Sequence, residues 1–237
     1  VLIAVANAAT KINAPNINRL NSGLVGYWTF DGKDMNWTAN RATDRSGQGN
    51  NGTLTNMSTT TSPATGKTGQ ALKFSRPQST FVDAGTGSSL AISSNLSFGA
   101  WVYVDGSNRG GAIISKQGFS GTRYNYALLN GGPGGNIDLW LDSNTGAVTG
   151  EISAVNPGIK AGWNHIFATY DGATEIIYLD GVSVMTNALT YTLGTGSGNV
   201  FIGKYDINST ADELYSGRID DVRIYNRALS ASEVTQL

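Results

Sequence analysis

The feature of this chain that most limits its fold is a long series of short apolar runs separated by Gly, Asn and Asp. Within the runs, apolar and polar residues alternate as they do in strands with one buried face. Turn residues recur between the runs, and no helical period extends through the chain. The runs lie at 72–74, 96–104, 112–115, 124–129, 137–141, 165–170, 175–179, 200–203 and 218–225. This pattern predicts an all-β sandwich or jelly roll.

Turn and cap signals refine this prediction. Asp180-Gly181 and Asp171-Gly172 each follow an apolar run, and such dipeptides accept the positive φ angles of a tight hairpin turn. Only the segment 230–237 carries a helical signal. Ser230 with Glu233 three residues later has the pattern of a capping box. We therefore expect a short helical turn at the C-terminal end.

Composition excludes several classes of protein. At 237 residues, the chain can bury a sizeable core as one two-sheet domain. The 16 basic and 17 acidic residues nearly balance and form no basic run, which argues against a nucleic-acid partner. The chain has no cysteine, so disulfides, cysteine metal sites and thiol catalysis are excluded. No stretch approaches the roughly 18 apolar residues that a membrane span needs.

The N-terminal segment divides the chain into three parts. Residues 1–9 are apolar and contain Ala6-Asn7-Ala8, a small-x-small pattern typical of the end of a secretory signal peptide. Residues 10–22 are polar with one proline and predict a linker, which leaves 23–237 as one domain. These assignments predict a secreted or cell-surface protein. Alternatively, residues 1–9 form a strand that docks on a neighbouring subunit, as in a structural or adhesive surface protein.

Eight short motifs follow one another along the domain. They are Gly26-Tyr27-Trp28, Asp44-Arg45-Ser46-Gly47, Gly69-Gln70-Ala71-Leu72-Lys73-Phe74, Phe98-Gly99-Ala100-Trp101, Gly162-Trp163-Asn164-His165, Tyr170-Asp171-Gly172, Tyr178-Leu179-Asp180-Gly181 and Ile202-Gly203. In this order, and with the ending 217–230, they resemble the laminin-G-like domains of the concanavalin-A-like lectin and glucanase superfamily, in a bacterial type without cysteine. The resemblance covers Leu24 to Leu237. It implies a two-sheet antiparallel jelly-roll β-sandwich that recognises a polysaccharide or glycoprotein at its surface.

Signals for catalysis are weak. Glycan-hydrolysing relatives place two carboxylates on one face of a strand, because one protonates the leaving oxygen while the other attacks. The glutamates Glu151, Glu175, Glu213 and Glu233 have no acidic partner at the required spacing. His165, the only histidine, lies in an apolar run and is expected to pack rather than to act as a base. We expect a protein that is not an enzyme, with a glycoside hydrolase or lyase as the alternative.

The resemblance also implies a structural calcium ion where the first strand, an early loop and the last strand meet. The matching positions are Asp31, Asp44, Asn51 and Asp220, whose oxygens are the ligands that calcium prefers. Asp220 is the strongest candidate, and strand alternation predicts that Asp221 points to the opposite face. The alternative is that Asp31 and Asp44 only stabilise turns.

A sugar platform is predicted on the run 136–142. Alternation places Ile137, Leu139 and Leu141 on one face and Asp138, Trp140 and Asp142 on the other. If the aliphatic face is core, Trp140 can stack on a sugar ring between two acceptors. Tyr126 and Tyr178, on strands that flank this one in sequence, could extend the surface. The rival candidates are Trp37, Tyr124 and Tyr205.

Overall fold

A computed structural model describes residues 17–105, 110–118, 124–132, 134–143, 148–190, 192–205 and 214–237. The predicted signal-peptide remnant lies outside the described residues, as does Glu213. A short helix, α1 (Ile17–Asn21), lies within the predicted linker. The boundaries of the three predicted segments stay predictions.

Strands of the described chain form two antiparallel sheets. The eight-stranded sheet has the order β15-β14-β13-β8-β17-β6-β5, with β1 also paired to β17. Its members are β1 (Leu24–Trp28), β5 (Pro63–Thr65), β6 (Gln70–Phe74), β8 (Leu96–Val104), β13 (Gly162–Tyr170), β14 (Thr174–Leu179), β15 (Val182–Ala188) and β17 (Gly217–Tyr225). Because β17 lies beside β1, β6 and β8, the last strand ties the two ends of the domain together.

The nine-stranded sheet has the order β12-β11-β10-β9-β16-β7-β4-β3-β2. Its members are β2 (Met35–Asn36), β3 (Arg41–Ala42), β4 (Gly52–Thr55), β7 (Phe81–Gly85), β9 (Gly111–Lys116), β10 (Tyr126–Asn130), β11 (Ile137–Asp142), β12 (Val148–Ala154) and β16 (Val200–Ile202). Two short 3-10 turns, Gly32–Asp34 and Ser88–Leu90, lie in the connections.

The main core lies between the two sheets and is built by the alternation that the sequence shows. Alternate residues of β8 and β11, such as Phe98, Val102, Leu139 and Leu141, are buried in it. Trp28 is fully buried, and its Nε1 donates a hydrogen bond to the Asn50 carbonyl oxygen at 2.9 Å. The predicted all-β, two-sheet antiparallel sandwich is therefore confirmed.

The predicted helical ending is also present. The segment α2 (Ala231–Val234) follows Ser230, whose Oγ accepts a hydrogen bond from the Glu233 N–H at 3.3 Å. Glu233 Oε2 accepts from the Ser230 N–H at 2.8 Å, which completes the capping box. Val234 and Leu229 pack on the outer face of the eight-stranded sheet in a second apolar cluster. Neither helix of the described chain has the length and apolar character that crossing a membrane would require.

The predicted hairpin at 180–181 is explained by its backbone. Asp180 and Gly181 have φ angles of 51° and 79° and join β14 to β15. Positive φ at both central residues is the geometry that suits the twist of the flanking strands. The Asp180 carboxylate also accepts the N–H of His165 at 2.9 Å, so this turn is tied to β13.

A bulge in β17 corrects one expectation. Pairing with β8 shifts register between Asp220 and Arg223, and Asp221 has a φ of 49°. Asp221 accepts a hydrogen bond from the Tyr27 hydroxyl at 2.7 Å, whereas Ile219 and Val222 lie in the core. Asp220 and Asp221 therefore both lie outside the core on the same sheet. The prediction that Asp221 points to the opposite face is wrong, because the extra residue interrupts the alternation.

Candidate functional site

Trp140 lies on the outer face of the nine-stranded sheet. Ile137, Leu139 and Leu141 are fully buried in the core, and the intervening Trp140 side chain is only partly buried. The ring is therefore presented on the opposite face from the core, at the centre of β11. Across the strands, Trp140 lies directly opposite Ala127 of β10 and Glu151 of β12.

Two tyrosines hold the Trp140 ring in place. The ring centroids of Tyr124 and Tyr205 lie 5.2 Å and 5.3 Å from Trp140 and 5.8 Å from each other. Ala112 and Ala127 form the small-residue floor of this cluster. Two of the three rival candidates thus belong to the same cluster as Trp140. Tyr124 and Tyr205 are themselves only 3% and 2% exposed, so they hold the Trp140 ring from behind. The partly exposed Trp140 is the ring that can stack on a flat, apolar face of a ligand.

Two carboxylates flank this aromatic cluster. Glu151 accepts a hydrogen bond from the Tyr124 hydroxyl, and Asp138 accepts one from Ser153 on the neighbouring strand. Burial, together with the Glu151 contact, raises the pKa of Tyr124, so its hydroxyl stays protonated. Each carboxylate keeps further acceptor capacity on a half-exposed surface. The sequence pattern missed Glu151, because its position depends on the register of the β11–β12 pair.

Three residues predicted for this surface lie elsewhere. Tyr126 is fully buried in the core, with its ring 5.0 Å from Phe98. Tyr178 belongs to the other sheet and is buried in the cluster beneath α2. Asp142 is only 5% exposed, and the β11–β12 pairing shifts register between Leu141 and Asp142. Tyr126, Tyr178 and Asp142 therefore do not extend the Trp140 surface, and that expectation is wrong.

The remaining rival candidate is also separate from the cluster. Trp37 is partly buried and packs against the main core from the connection between β2 and β3. It has no ring contact with Trp140, Tyr124 or Tyr205 among the described residues. It therefore provides a distinct aromatic position against which Trp140 can be tested.

His165 lies in the aromatic packing of the other sheet. Its ring centroid is 5.0 Å from Trp101 and 5.4 Å from Phe167, and the residue is 3% exposed. Burial is the main cause that lowers the pKa of His165 to about 4, with Arg223 as the next contributor. The imidazole is therefore neutral near pH 7. These contacts are those of a packing residue.

Two of the four predicted calcium ligands organise a loop. The Asp44 carboxylate accepts four hydrogen bonds, from the N–H groups of Tyr27, Ser46 and Asn50 and from the Ser46 hydroxyl, at 2.8–3.0 Å. The Asn51 side-chain oxygen accepts the Asp44 N–H at 3.0 Å. These contacts occupy the Asp44 oxygens and explain how the 44–51 loop is fixed to β1.

The other two predicted ligands hold the turn between β5 and β6. Asp31 Oδ1 accepts the Gln70 N–H at 2.9 Å, and Asp220 Oδ2 accepts the N–H groups of Lys67 and Thr68 at 2.7 and 3.2 Å. The four residues thus form two separate groups of backbone contacts. No group of three or more acidic, histidine or cysteine side chains converges on a metal position in the described chain. A calcium ion shared by these four residues stays a prediction.

At one end of the nine-stranded sheet, two buried side-chain oxygens receive no hydrogen bond from the described residues. Asn125 Oδ1 and Asp142 Oδ1 are buried and have no hydrogen-bond partner among the described residues. The two residues are linked, because Asp142 N–H donates to the Asn125 carbonyl oxygen at 2.9 Å. Buried acceptors of this kind normally meet a donor, a water or a cation. Asp220 Oδ1 is another buried acceptor without a partner in the described chain, but at Asn125 and Asp142 two such acceptors belong to residues in direct contact.

The family profile of the concanavalin A-like lectin/glucanases superfamily, of the laminin G type, matches residues 76–235. The chain therefore belongs to this superfamily, as the motif order indicated. A search of curated proteins finds no match.

Solved structures of the same fold include carbohydrate-complexed and toxin domains. Domain 4 of AbnA, a GH43 extracellular arabinanase from Geobacillus stearothermophilus in complex with arabinotriose, is 21% identical, with a TM-score of 0.65 over 91% of this chain and 98% of that one. The binding domain of Paraclostridial Mosquitocidal Protein 1 is 16% identical, with a TM-score of 0.67 over 92% and 52%. The botulinum neurotoxin serotype D ligand binding domain, in complex with N-acetylneuraminic acid, is 15% identical, with a TM-score of 0.62 over 92% and 51%. The chain spans about half of the two toxin chains.

Proposed function

We propose that this protein is a non-catalytic, secreted or cell-surface module that binds carbohydrate on the outer face of its nine-stranded sheet. The observation that carries the proposal is the half-buried Trp140 ring, fixed by Tyr124 and Tyr205 and flanked by Asp138 and Glu151. Apolar C–H groups on one side of a sugar ring stack on an aromatic face, while the hydroxyl groups donate to carboxylates at the edge. A rigid platform lowers the entropic cost of binding.

Superfamily membership and the likeness to domains solved with arabinotriose and N-acetylneuraminic acid support a sugar as the ligand. A non-catalytic role is supported by the likeness to solved toxin binding domains. The partner would be a polysaccharide or the glycan of a glycoprotein.

Replacing Trp140 by alanine should weaken sugar binding by at least about 10-fold, because a central aromatic contact often dominates an interface. A glycan array that includes arabino- and sialo-oligosaccharides identifies the ligand. Calorimetric titration of that ligand then gives the affinities of the wild type and Trp140→Ala. Far-ultraviolet circular dichroism verifies that the variant keeps its fold.

Trp37→Ala is the matched control, since it removes another partly buried tryptophan outside the cluster. Its affinity should stay within about twofold of the wild type. Loss of binding in Trp37→Ala alone would move the site to the β2–β3 connection. A wild type that binds no glycan would refute the proposal, and released reducing ends in a polysaccharide assay would refute the non-catalytic role.

Calcium is a separate proposal. We propose that any bound calcium lies at Asn125 and Asp142, where buried acceptors lack donors, rather than at the early loop. Millimolar calcium should then raise the melting temperature, and EDTA should reverse the effect. The rise should disappear in Asp142→Ala and persist in Asp31→Ala. An unchanged melting temperature in the wild type would contradict calcium binding.

A further inference from the structure

Two positive charges lie directly opposite each other on the eight-stranded sheet. In the β6–β17 pair, Lys73 is in register with Arg218, while the residues beside them, Leu72 and Ile219, are in the core. The two cations therefore share the outer face. Neither forms an ion pair with a carboxylate of the described residues. Like charges directly opposite in an antiparallel pair are destabilising, so this arrangement has a cost that packing does not explain.

The same two residues line a surface cavity of about 550 Å³. Its wall also includes Tyr103 and the hydroxyl residues Thr65 and Ser75. Asp105, at the end of β8, is the carboxylate of the lining. The cavity thus combines two cations, one anion, an aromatic ring and several hydroxyl groups. The lining of this cavity is therefore polar and carries a net positive charge, whereas the core beneath the sheet is apolar.

Aromatic rings continue the row of cations across the sheet. Arg218 is in register with Tyr103 on β8, and Tyr103 is in register with Trp163 on β13. The Arg218 guanidinium lies 4.5 Å from the Tyr103 ring centroid, and the Tyr103 and Trp163 rings are 5.5 Å apart. Lys73, Arg218, Tyr103 and Trp163 therefore form one row over four adjacent strands, each about 4.8 Å from the next.

A second cavity of about 220 Å³ adjoins this row. Trp163, Trp101 and Lys67 line it, and the Lys67 Nζ lies 4.1 Å from the Trp101 ring centroid. Lys67 likewise has no ion-pair partner among the described residues. Asp180 is the carboxylate of this lining. The outer face of the sheet thus offers cationic groups beside aromatic rings over a length greater than one sugar unit.

We propose that this row is a second binding site and that its ligand is an acidic polysaccharide. A carboxylate or sulfate group lies between Lys73 and Arg218, where it relieves their repulsion, and the guanidinium can bind it with two parallel hydrogen bonds. Adjoining sugar rings pack on Tyr103 and Trp163, with Asp105 accepting from a hydroxyl group. The site lies on the opposite sheet from Trp140, so it is additional to the proposed function and does not depend on it.

The test uses the full chain and three polymers: oligogalacturonate for a carboxylate ligand, dextran sulfate for a sulfate ligand, and neutral dextran. Calorimetry in low salt should show binding of an anionic polymer and none of neutral dextran, and added salt should weaken it. The double variant K73Q/R218Q should lose at least about 10-fold in affinity. Its melting temperature should rise by roughly 2 °C, because the opposed charges are removed. If Lys73 and Arg218 stabilised the fold instead of binding a ligand, the melting temperature of K73Q/R218Q would fall.

The matched control is Arg41→Gln, which removes one exposed cation from β3 of the other sheet. It should keep wild-type affinity. The polymer that binds distinguishes a carboxylate ligand from a sulfate ligand. The proposal is overturned if the wild type binds neither anionic polymer, if K73Q/R218Q keeps its affinity, or if Arg41→Gln loses as much as the double variant. Failure of the Trp140 site leaves these outcomes unchanged.

Discussion

Replacing Asp44 by alanine should lower the free energy of unfolding by about 3–4 kcal/mol, because several buried donors lose their acceptor at once. The carboxylate accepts the N–H groups of Tyr27, Ser46 and Asn50. Asn50 in turn accepts from the Trp28 indole and donates to the Val25 carbonyl oxygen at 2.7 Å. Releasing the loop therefore also loosens β1 over the core.

Urea unfolding monitored by tryptophan fluorescence measures this effect. Asp171→Ala is the matched control, because Asp171 also accepts two backbone N–H groups, from Ala173 and Thr174, but in an exposed turn. We expect it to cost less than about 1 kcal/mol, since water replaces the lost acceptor. An Asp44→Ala variant as stable as Asp171→Ala would show that the loop is held by other contacts.

The Asp220→Asn variant should be more stable than the wild type above neutral pH and nearly equal to it at about pH 4. Burial raises the pKa of Asp220 to about 7 from an ordinary 3.8, and the neighbouring Asp221 contributes to the rise. Asp220 Oδ1 has no hydrogen-bond partner among the described residues, so it has no donor there to stabilise its charge. The folded state therefore binds the proton more tightly than the unfolded state does.

Because the folded state holds the Asp220 proton more tightly than the unfolded state, the wild type has its full stability below about pH 4. It loses stability as the pH rises through about 7. A tenfold change in proton affinity corresponds to about 1.4 kcal/mol, so the rise of the pKa from 3.8 to about 7 makes the ionised carboxylate cost on the order of 4 kcal/mol at about pH 8. An asparagine can still accept from the Lys67 and Thr68 N–H groups through its side-chain oxygen. It should therefore remove the cost without removing these contacts.

Glu233→Gln is the control with the opposite sign. Arg227 is the main cause that lowers the pKa of Glu233 to about 2, through hydrogen bonds of 2.9 and 3.0 Å. Its contribution is present above about pH 4.5 and is lost as the pH falls through about 2. Glu233→Gln should thus be less stable than the wild type at pH 7, by about 1 kcal/mol for the lost cap.

Melting temperatures of the three proteins, measured from about pH 2.5 to pH 8, separate these effects. The difference between Asp220→Asn and the wild type should grow with rising pH, and that for Glu233→Gln should shrink as the pH falls. A wild type whose stability relative to Asp220→Asn does not change between about pH 4 and pH 8 would show that Asp220 is ionised without cost. That result would indicate a donor or a cation at Oδ1.

Local patterns accounted for much of the fold. Alternation along β8 and β11 predicted which side chains face the core, because a strand turns successive residues to opposite faces. The capping box at Ser230 and the hairpin at Asp180 were predictable for a similar reason, since each depends on residues only a few positions apart. The bulge at Asp221 was not, because nothing within β17 itself specifies how it pairs with β8.

In the candidate site too, some features could be predicted from a single strand and others depend on how the strands pair. Trp140 was predicted from its own strand, but Tyr124, Tyr205 and Glu151 join it through pairings that only the folded sheet brings about. Tyr126 looked equally suitable, yet its place on β10 turns the ring into the core. The calcium ligands stay a prediction, because the sequence does not distinguish carboxylates that bind a metal from carboxylates that hold a turn.

The sequence by itself determined that this chain is an all-β jelly roll of the superfamily, with its core-facing residues and its capped ending. Those properties follow from residue periodicity and from contacts within a few positions. The tertiary structure alone decided which aromatic rings form a surface, which carboxylates are satisfied by backbone N–H groups, and that Lys73 lies opposite Arg218. These pairings join residues far apart in the chain, and the physical reason is that strand register, rather than sequence distance, sets which side chains meet.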